Sequence, residues 1–285
     1  MREGLSRLRD SPWVGLRRLA QAVGYTGKAV EVAFRIAPRL NAASRLGEAE
    51  KALRLLLTDD EAEAEALVQE LSRLNARRQA IEEEMLRRLL PQADPEEKAI
   101  VLLDPEGHPG VMGIVASRIL EATLRPVFLV AQGKGTVRSL PPISAVEALR
   151  SAEDLLLRYG GHREAAGFAL EEERFPELKR RLLVYAQSFP DPVKEVELVS
   201  PLPPPSLLPQ VFRELQPLEP HGAGNPEPLF LLAGLPEDVR SWGRGGTWPS
   251  AWGGCGWWPG AWARRPYPRR WRWRASSPRT PGTGA

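Results

Sequence analysis

The stretch 58–90 constrains this chain more than any other. Thr58-Asp59-Asp60-Glu61 has the spacing of a capping box, and acidic residues crowd the turn that follows. Leu67, Leu71, Leu74, Ile81, Met85 and Leu89 then recur at helical spacing, interrupted by Arg78, until Pro91 stops the helix. Glu83 with Arg87, and Glu84 with Arg88, fall at the supporting i,i+4 distance. Such a helix reaches roughly 45–50 Å at 1.5 Å per residue. An apolar stripe so thin on a rod so long suits a bridge between two packed bodies better than the centre of one. The Asp59-Asp60 pair is read as capping, not as metal ligands.

Beyond the bridge, residues 98–189 alternate strand and helix. Residues 99–103 read as a buried strand, about 111–122 as a helix and 126–130 as a second strand. The loop at Gly133 leads into a strand carrying Arg138. Ser144-Ala145-Val146-Glu147 is a second capping-box spacing, opening a helix expected to run to about Tyr159. Residues 165–170 read as a further strand and 175–187 as a last helix. The fold class is therefore α/β: a long connecting helix followed by a mixed sheet with helices on its faces. Before the bridge, residues 1–57 read as helices with short turns, Trp13, Leu16, Leu19 and Val23 forming core.

Two runs in the α/β part stand out, Gly133-Lys134-Gly135-Thr136-Val137-Arg138-Ser139 and Gly160-Gly161-His162-Arg163-Glu164-Ala165-Ala166-Gly167. Glycine lets a backbone approach a ligand closely, Arg138 offers a planar fork for phosphate oxygens, and Thr136 and Ser139 offer hydroxyls. If the two loops meet, they make an anion pocket. The same residues also read structurally: Gly-Gly after a helix as a C-cap and turn, Gly-Lys-Gly as a hairpin connection. His108 precedes a helix whose N-terminus favours an anion, and reads equally well as a turn histidine.

Four stretches carry a family resemblance. The run 160–167, preceded by Arg138-Ser139, resembles the DHH-associated domain of DHH-family phosphoesterases. Residues 38–47 (PRLNAASRLG), 108–118 (HPGVMGIVASR) and 220–230 (PHGAGNPEPLF) resemble three runs of the RecJ-type single-stranded-DNA exonucleases. The departures are Ser44 for glycine, Thr136 for serine and His221 for phenylalanine. The resemblance implies residues 1–57 as a helical remnant of a catalytic DHH domain, 58–90 as the connecting helix and 91–189 as the DHH-associated domain. It implies 190–240 as a proline-rich linker with the start of an oligonucleotide-binding (OB-like) barrel. It further implies that Arg39, Asn41 and Arg45, beside the turn before the next helix, line a DNA channel or the seam with a catalytic domain, Arg39 and Asn41 foremost, and that Arg138, Ser139, Thr136, Gly161, His162 and His108 hold nucleic-acid phosphates.

Residues 241–285 change character. They hold eight of the nine tryptophans and eight arginines, with no Leu, Ile, Val, Lys, Asp or Glu. A shifted reading frame in a GC-rich gene accounts for that composition, and a disordered tail is expected; the functional alternative is an aromatic-arginine segment that stacks on single strands. Taking those eight cations from a net charge of +3 leaves residues 1–240 at −5, so anion binding there needs a local patch. The lone Cys255 excludes a disulfide framework. Neither a membrane-length apolar run nor a signal-peptide pattern is present, and a cytoplasmic protein is expected.

The family reaction is 5′→3′ hydrolysis of single-stranded DNA in repair and recombination, with Mn²⁺ or Mg²⁺ held by carboxylates and histidines. The resemblance implies single-stranded DNA as partner, with a single-strand-binding protein or a helicase beside it. No Asp-His-His run occurs, and none of His108, His162 and His221 has an Asp at ligand spacing. No residue is therefore assigned to catalysis or metal, and this chain by itself is expected to be an inactive clamp for substrate. A non-catalytic single-strand-binding module, or a DHH-family phosphoesterase acting on short oligonucleotides or nucleotides, is the alternative.

Overall fold

A computed structural model describes residues 1–192, 200–201, 205–222, 224–231, 239–242 and 246–249. Contacts divide the chain into two units, Met1–Lys194 with Glu219–His221, and Glu195–Leu218 with Gly222–Ala285.

In the first unit, α1 (Arg2–Leu8), α2 (Val14–Ala22), α3 (Ala29–Glu31), α4 (Ala37–Arg45) and α5 (Ala49–Leu57) precede the long helix α6 (Glu61–Leu89). A π-helical turn, Val32–Ile36, joins α3 to α4. Residues 39–45 thus lie inside a helix and not in a turn before one. Pro38 is tolerated there because it directly follows the π-helical turn, where the Ala37 N–H reaches back to the Val32 carbonyl and the regular i→i−4 ladder is already interrupted. Trp13, expected in the core, is 64% exposed.

The helix α6 is 29 residues long, about 43 Å. Its cap is Asp60, whose carboxylate accepts the Glu63 N–H at 2.8 Å; Thr58 instead donates its hydroxyl to the Glu63 carboxylate. One end of the stripe, Leu67, Val68, Leu71 and Leu74, packs among α2, α4 and α5. The other, Met85 and Leu89, packs beneath the sheet. Between them lies a polar waist: Arg78 donates to Glu82 at 2.5 Å and to Asn75 at 2.8 Å, and Arg118 donates to Glu82 at 3.0 Å. Arg87 and Arg88 both pair with Glu84, and Arg88 reaches Asp104 at 2.9 Å. Glu82→Ala leaves two arginines facing each other, one of them largely buried. We expect it to cost about 3 kcal/mol of stability, read from denaturant midpoints at constant m-value.

The sheet comprises β1 (Ile100–Leu103), β2 (Val127–Ala131), β3 (Lys134–Arg138), β4 (Arg158–Gly161) and β5 (Ala165–Ala169), in the order β1-β2-β3-β5-β4. β1 and β2 are parallel; the remaining pairs are antiparallel. The helix α7 (Met112–Thr123) covers one face. The helices α8 (Ala145–Arg150) and α9 (Phe175–Gln187) cover the other. The helix expected to run to Tyr159 stops at Arg150, and residues 158–161 instead pair with β5. A glycine pair is poor helix material, while a strand partner lies just across a three-residue turn.

In the second unit, β6 (Ser200–Pro201) pairs in parallel with β7 (Phe230–Leu231), α10 spans Leu208–Leu215, and β8 (Val239–Trp242) pairs with β9 (Gly246–Pro249). Of the expected linker and OB-like start, residues 193–199, 202–204, 223 and 232–238 lie outside the described residues, as does the expected disordered tail apart from 241–242 and 246–249. Among those described, no helix is long and apolar enough to cross a membrane.

Candidate nucleic-acid interface

Register fixes what each strand shows. On the α7 side of the sheet, one row runs Val127, Arg138, Ala165; the next runs Leu129, Thr136, Gly167, Gly160; the third runs Ala131, Lys134, Ala169, Arg158. Val127, Leu129 and Ala131 lie under α7 in the core, whereas Gly160 and Gly167 are exposed. α7 therefore roofs β1 and β2, while the same face of β5 and β4 stays open.

Arg138 sits at the edge of that roof. It donates to the Ser117 hydroxyl at 3.2 Å, the Thr136 hydroxyl at 3.2 Å and the Val137 carbonyl at 2.8 Å. A Cβ at Gly113, in the first turn of α7, would lie 2.9 Å from an Arg138 guanidinium nitrogen. Glycine there lets the guanidinium lie against the helix start, whose dipole favours anions while the Met112 and Ile114 N–H groups already donate to the His108 and Val111 carbonyls at 3.1 and 2.9 Å. Among the described residues no carboxylate pairs with Arg138. Burial, with the like charge of Arg45 adding, holds its guanidinium below the ordinary value.

Arg45 arrives from the end of α4. It donates to the Gly110 carbonyl at 3.0 Å, and it too makes no ion pair among the described residues. A Cβ at Gly110 would lie 2.0 Å from the Arg45 carbonyl oxygen, so this glycine sets the distance between α4 and α7. Two arginines and a helix start thus converge without a counter-charge. A half-buried cation of this kind is costly until an anion reaches it. Ser117 did not stand out in the sequence as a site residue, although it lies inside a run that carries the resemblance, and Arg45 was expected at a DNA channel only as a neighbour of Arg39 and Asn41. Only the packing of α4 on α7 and of α7 on β3 distinguishes them.

The expected site residues divide. Arg138 pairs in register with Ala165, and the His162 N–H donates to the Ala165 carbonyl at 2.8 Å. Both loops therefore share one rim, about two strand spacings or 10 Å apart. Gly161, at φ +152°, enters the turn, and the exposed His162 accepts the Glu164 N–H through Nδ1 at 3.4 Å. Thr136 lies beneath Arg138. Asn41 is exposed one turn before Arg45, on the same face of α4. The Nδ1 atom of His108 accepts the Gly110 N–H at 3.1 Å and shapes the turn into α7.

Two residues do other work. The Ser139 hydroxyl is buried and donates to the Ile143 carbonyl at 2.8 Å, closing its own loop. Arg39 turns to the long helix, donating to the Ser72 hydroxyl at 3.2 Å and the Arg35 carbonyl at 2.6 Å. Burial and Arg35 hold its guanidinium below the ordinary value. Two glycines of the 133–139 run also have internal reasons. Gly133, at φ +68°, turns the β2–β3 hairpin, and a Cβ at Gly135 would fall within 2.3 Å of three atoms of the Phe168 ring.

The residues that build this sheet match a known family: the DHHA1 domain model matches residues 96–187. Over 245 residues the chain is 79% identical to the single-stranded-DNA-specific exonuclease RecJ of Thermus thermophilus, covering 86% of this chain and 37% of that relative. The crystal structure of that organism's RecJ with Mg²⁺ superposes with a TM-score of 0.83 at 80% identity, covering 86% of this chain and 40% of that one. The complex with Mn²⁺ matches with the same score and identity, covering 86% and 38%. The chain is homologous to the C-terminal part of the RecJ-type exonucleases and spans less than half of the length of these relatives.

Among the described residues no three His, Cys, Asp or Glu side chains converge into a group able to hold a metal ion. They do not fit the Mg²⁺ or Mn²⁺ of the solved relatives.

Proposed function

We propose that this chain is the strand-binding portion of a metal-dependent 5′→3′ exonuclease that hydrolyses single-stranded DNA in repair and recombination. The observation that carries the reading is the carboxylate-free pair Arg138 and Arg45 at the first turn of α7. Arg138, Thr136 and Arg45 hold a backbone phosphate there, with Ser117 steadying the Arg138 fork. Gly161 and His162 border the strand on one side of the sheet end, Asn41 and His108 on the other. Ser139 and Arg39 support the loop and the helix that present these groups. Contacts of this kind position a strand without reading its bases.

Hydrolysis needs a carboxylate cluster to hold its cations, and the described residues contain none. Binding and cutting therefore belong to different parts of such an enzyme, and this chain alone grips DNA without cleaving it. The setting is cytoplasmic, with a single-strand-binding protein or a helicase as a further partner. The test is a gel shift on 5′-phosphorylated oligodeoxythymidine beside a nuclease assay in Mn²⁺. We expect a shift that weakens with salt and no release of nucleotides. Absence of any shift would overturn the binding role, and mononucleotide release would overturn the division of labour.

A further inference from the structure

Most of the buried or turn glycines of the sheet domain have an internal reason to be glycine. Gly110, Gly113 and Gly135 would clash with neighbours, and Gly133 and Gly161 have positive φ. Gly160 and Gly167 have neither reason. They face each other across β4 and β5, a Cβ at Gly160 would meet nothing within 4 Å, and one at Gly167 only the Gly135 carbonyl oxygen at 3.8 Å. Glycine inside a strand weakens it and commonly marks a place where something approaches the backbone. Here nothing among the described residues does.

The far end of this bare floor is cationic. Lys134 and Arg158 flank Ala169 in register, are exposed, and form no ion pair among the described residues. The carboxylate of Glu172, near that end, accepts the Gly133 N–H at 3.0 Å. A groove of about 350 Å³ opens over these positions, lined among others by Met112, Lys134, Arg158, Gly160 and Gly167. From the Arg138 row to the Lys134 row is four residues, about 13 Å along the strands. A nucleic acid strand covers that distance in a few nucleotides.

Resting on the phosphate anchor argued above, we propose that Lys134 and Arg158 form a second phosphate-binding subsite. The intervening sugars lie on the Gly160–Gly167 floor. The strand then crosses the open face of β5 and β4 parallel to the strands, from the α7 rim toward the β2–β3 hairpin. The ligand class is a single-stranded nucleic acid backbone longer than the nucleotide held at Arg138.

The test uses the full chain and fluorescence anisotropy with 5′-phosphorylated oligodeoxythymidines, at several salt concentrations. One probe has two nucleotides and the other about ten, within the range of single-strand sites. Lys134→Ala with Arg158→Ala should lower affinity for the long probe about tenfold and reduce its salt slope by about 1.4. Binding of the short probe should stay within about twofold of wild type by the same reasoning. Gly167→Val should do the same by filling the floor, with an unchanged melting temperature. Unchanged long-probe affinity and slope in both variants would overturn the subsite. Arg138→Ala separates the readings, because it should weaken both probes. If Arg138→Ala changes neither probe while the double variant weakens the long one, the anchor fails and the subsite stands.

Discussion

Replacing Arg138 by alanine is expected to weaken binding of a phosphorylated single strand about 10- to 100-fold. The fold should stay as stable as before, or become slightly more so. The first half follows from hydrogen bonds to charged groups, worth about 1.5–3 kcal/mol, with tenfold in affinity per 1.4 kcal/mol. The second half follows from the environment. Arg138 is half-buried, lies beside the like charge of Arg45, and has only hydroxyls and a carbonyl as partners. Removing a desolvated cation with no counter-ion relieves a cost rather than breaking an ion pair. The salt slope of binding should drop by about 0.7 for each phosphate that is no longer neutralised. Arg138→Lys keeps the charge but loses the fork, and should recover only part of the affinity. Anisotropy titrations at several salts, beside thermal melts, check both halves. A clear fall in melting temperature with binding unchanged would make Arg138 a stitch between α7 and β3, and would remove the basis of the proposed function.

The parts of this structure that were legible in the sequence are those whose cause is local. The long helix announced itself because six apolar side chains and a terminating proline are spaced along one segment. Its polar waist was visible as Arg78, although the partners Glu82, Asn75 and Arg118 were not. The cap fell two residues late because Asp60 and Glu63 repeat the spacing that Thr58 and Glu61 display, and only backbone geometry chooses between them. The strand β4 was missed for a different reason. Leu155-Leu156-Leu157 reads as the end of an apolar helix, and what makes 158–161 a strand is the partner β5 across the turn. Site residues divide the same way. Arg138 and His162 could be named from their glycine-flanked runs, yet the shared rim depends on sheet register. Arg45 could be set near a DNA channel by resemblance, but only α4 resting on α7 places it beside a guanidinium ninety-three positions onward. Glycines were the least decipherable, because a turn, a close helix contact and a bare floor all write the same letter.

That ambiguity yields the second large effect. Gly110→Ala is expected to cost about 3 kcal/mol and lower the melting temperature by about 10 °C, at the upper end of overpacking penalties. The added Cβ would lie 2.0 Å from the Arg45 carbonyl oxygen and 2.9 Å from its carbonyl carbon. Both are backbone atoms of a helix end, so no flexible side chain can swing aside. Relief requires α4 and α7 to separate, and that movement carries Arg45 away from Arg138. Strand binding should therefore fall even at temperatures where the variant is fully folded, which a stability loss elsewhere in the chain would not produce. Gly167→Ala makes the opposite comparison within the same domain. Its Cβ would meet nothing nearer than 3.8 Å, and alanine restricts the unfolded chain, so stability should hold or rise by about 0.5 kcal/mol. Thermal melts of the two variants, with anisotropy measured well below both transitions, make the comparison. If Gly110→Ala melts with the wild type and binds DNA equally well, the α4–α7 seam yields freely, and the distance between the two arginines is not what would create the proposed anion site.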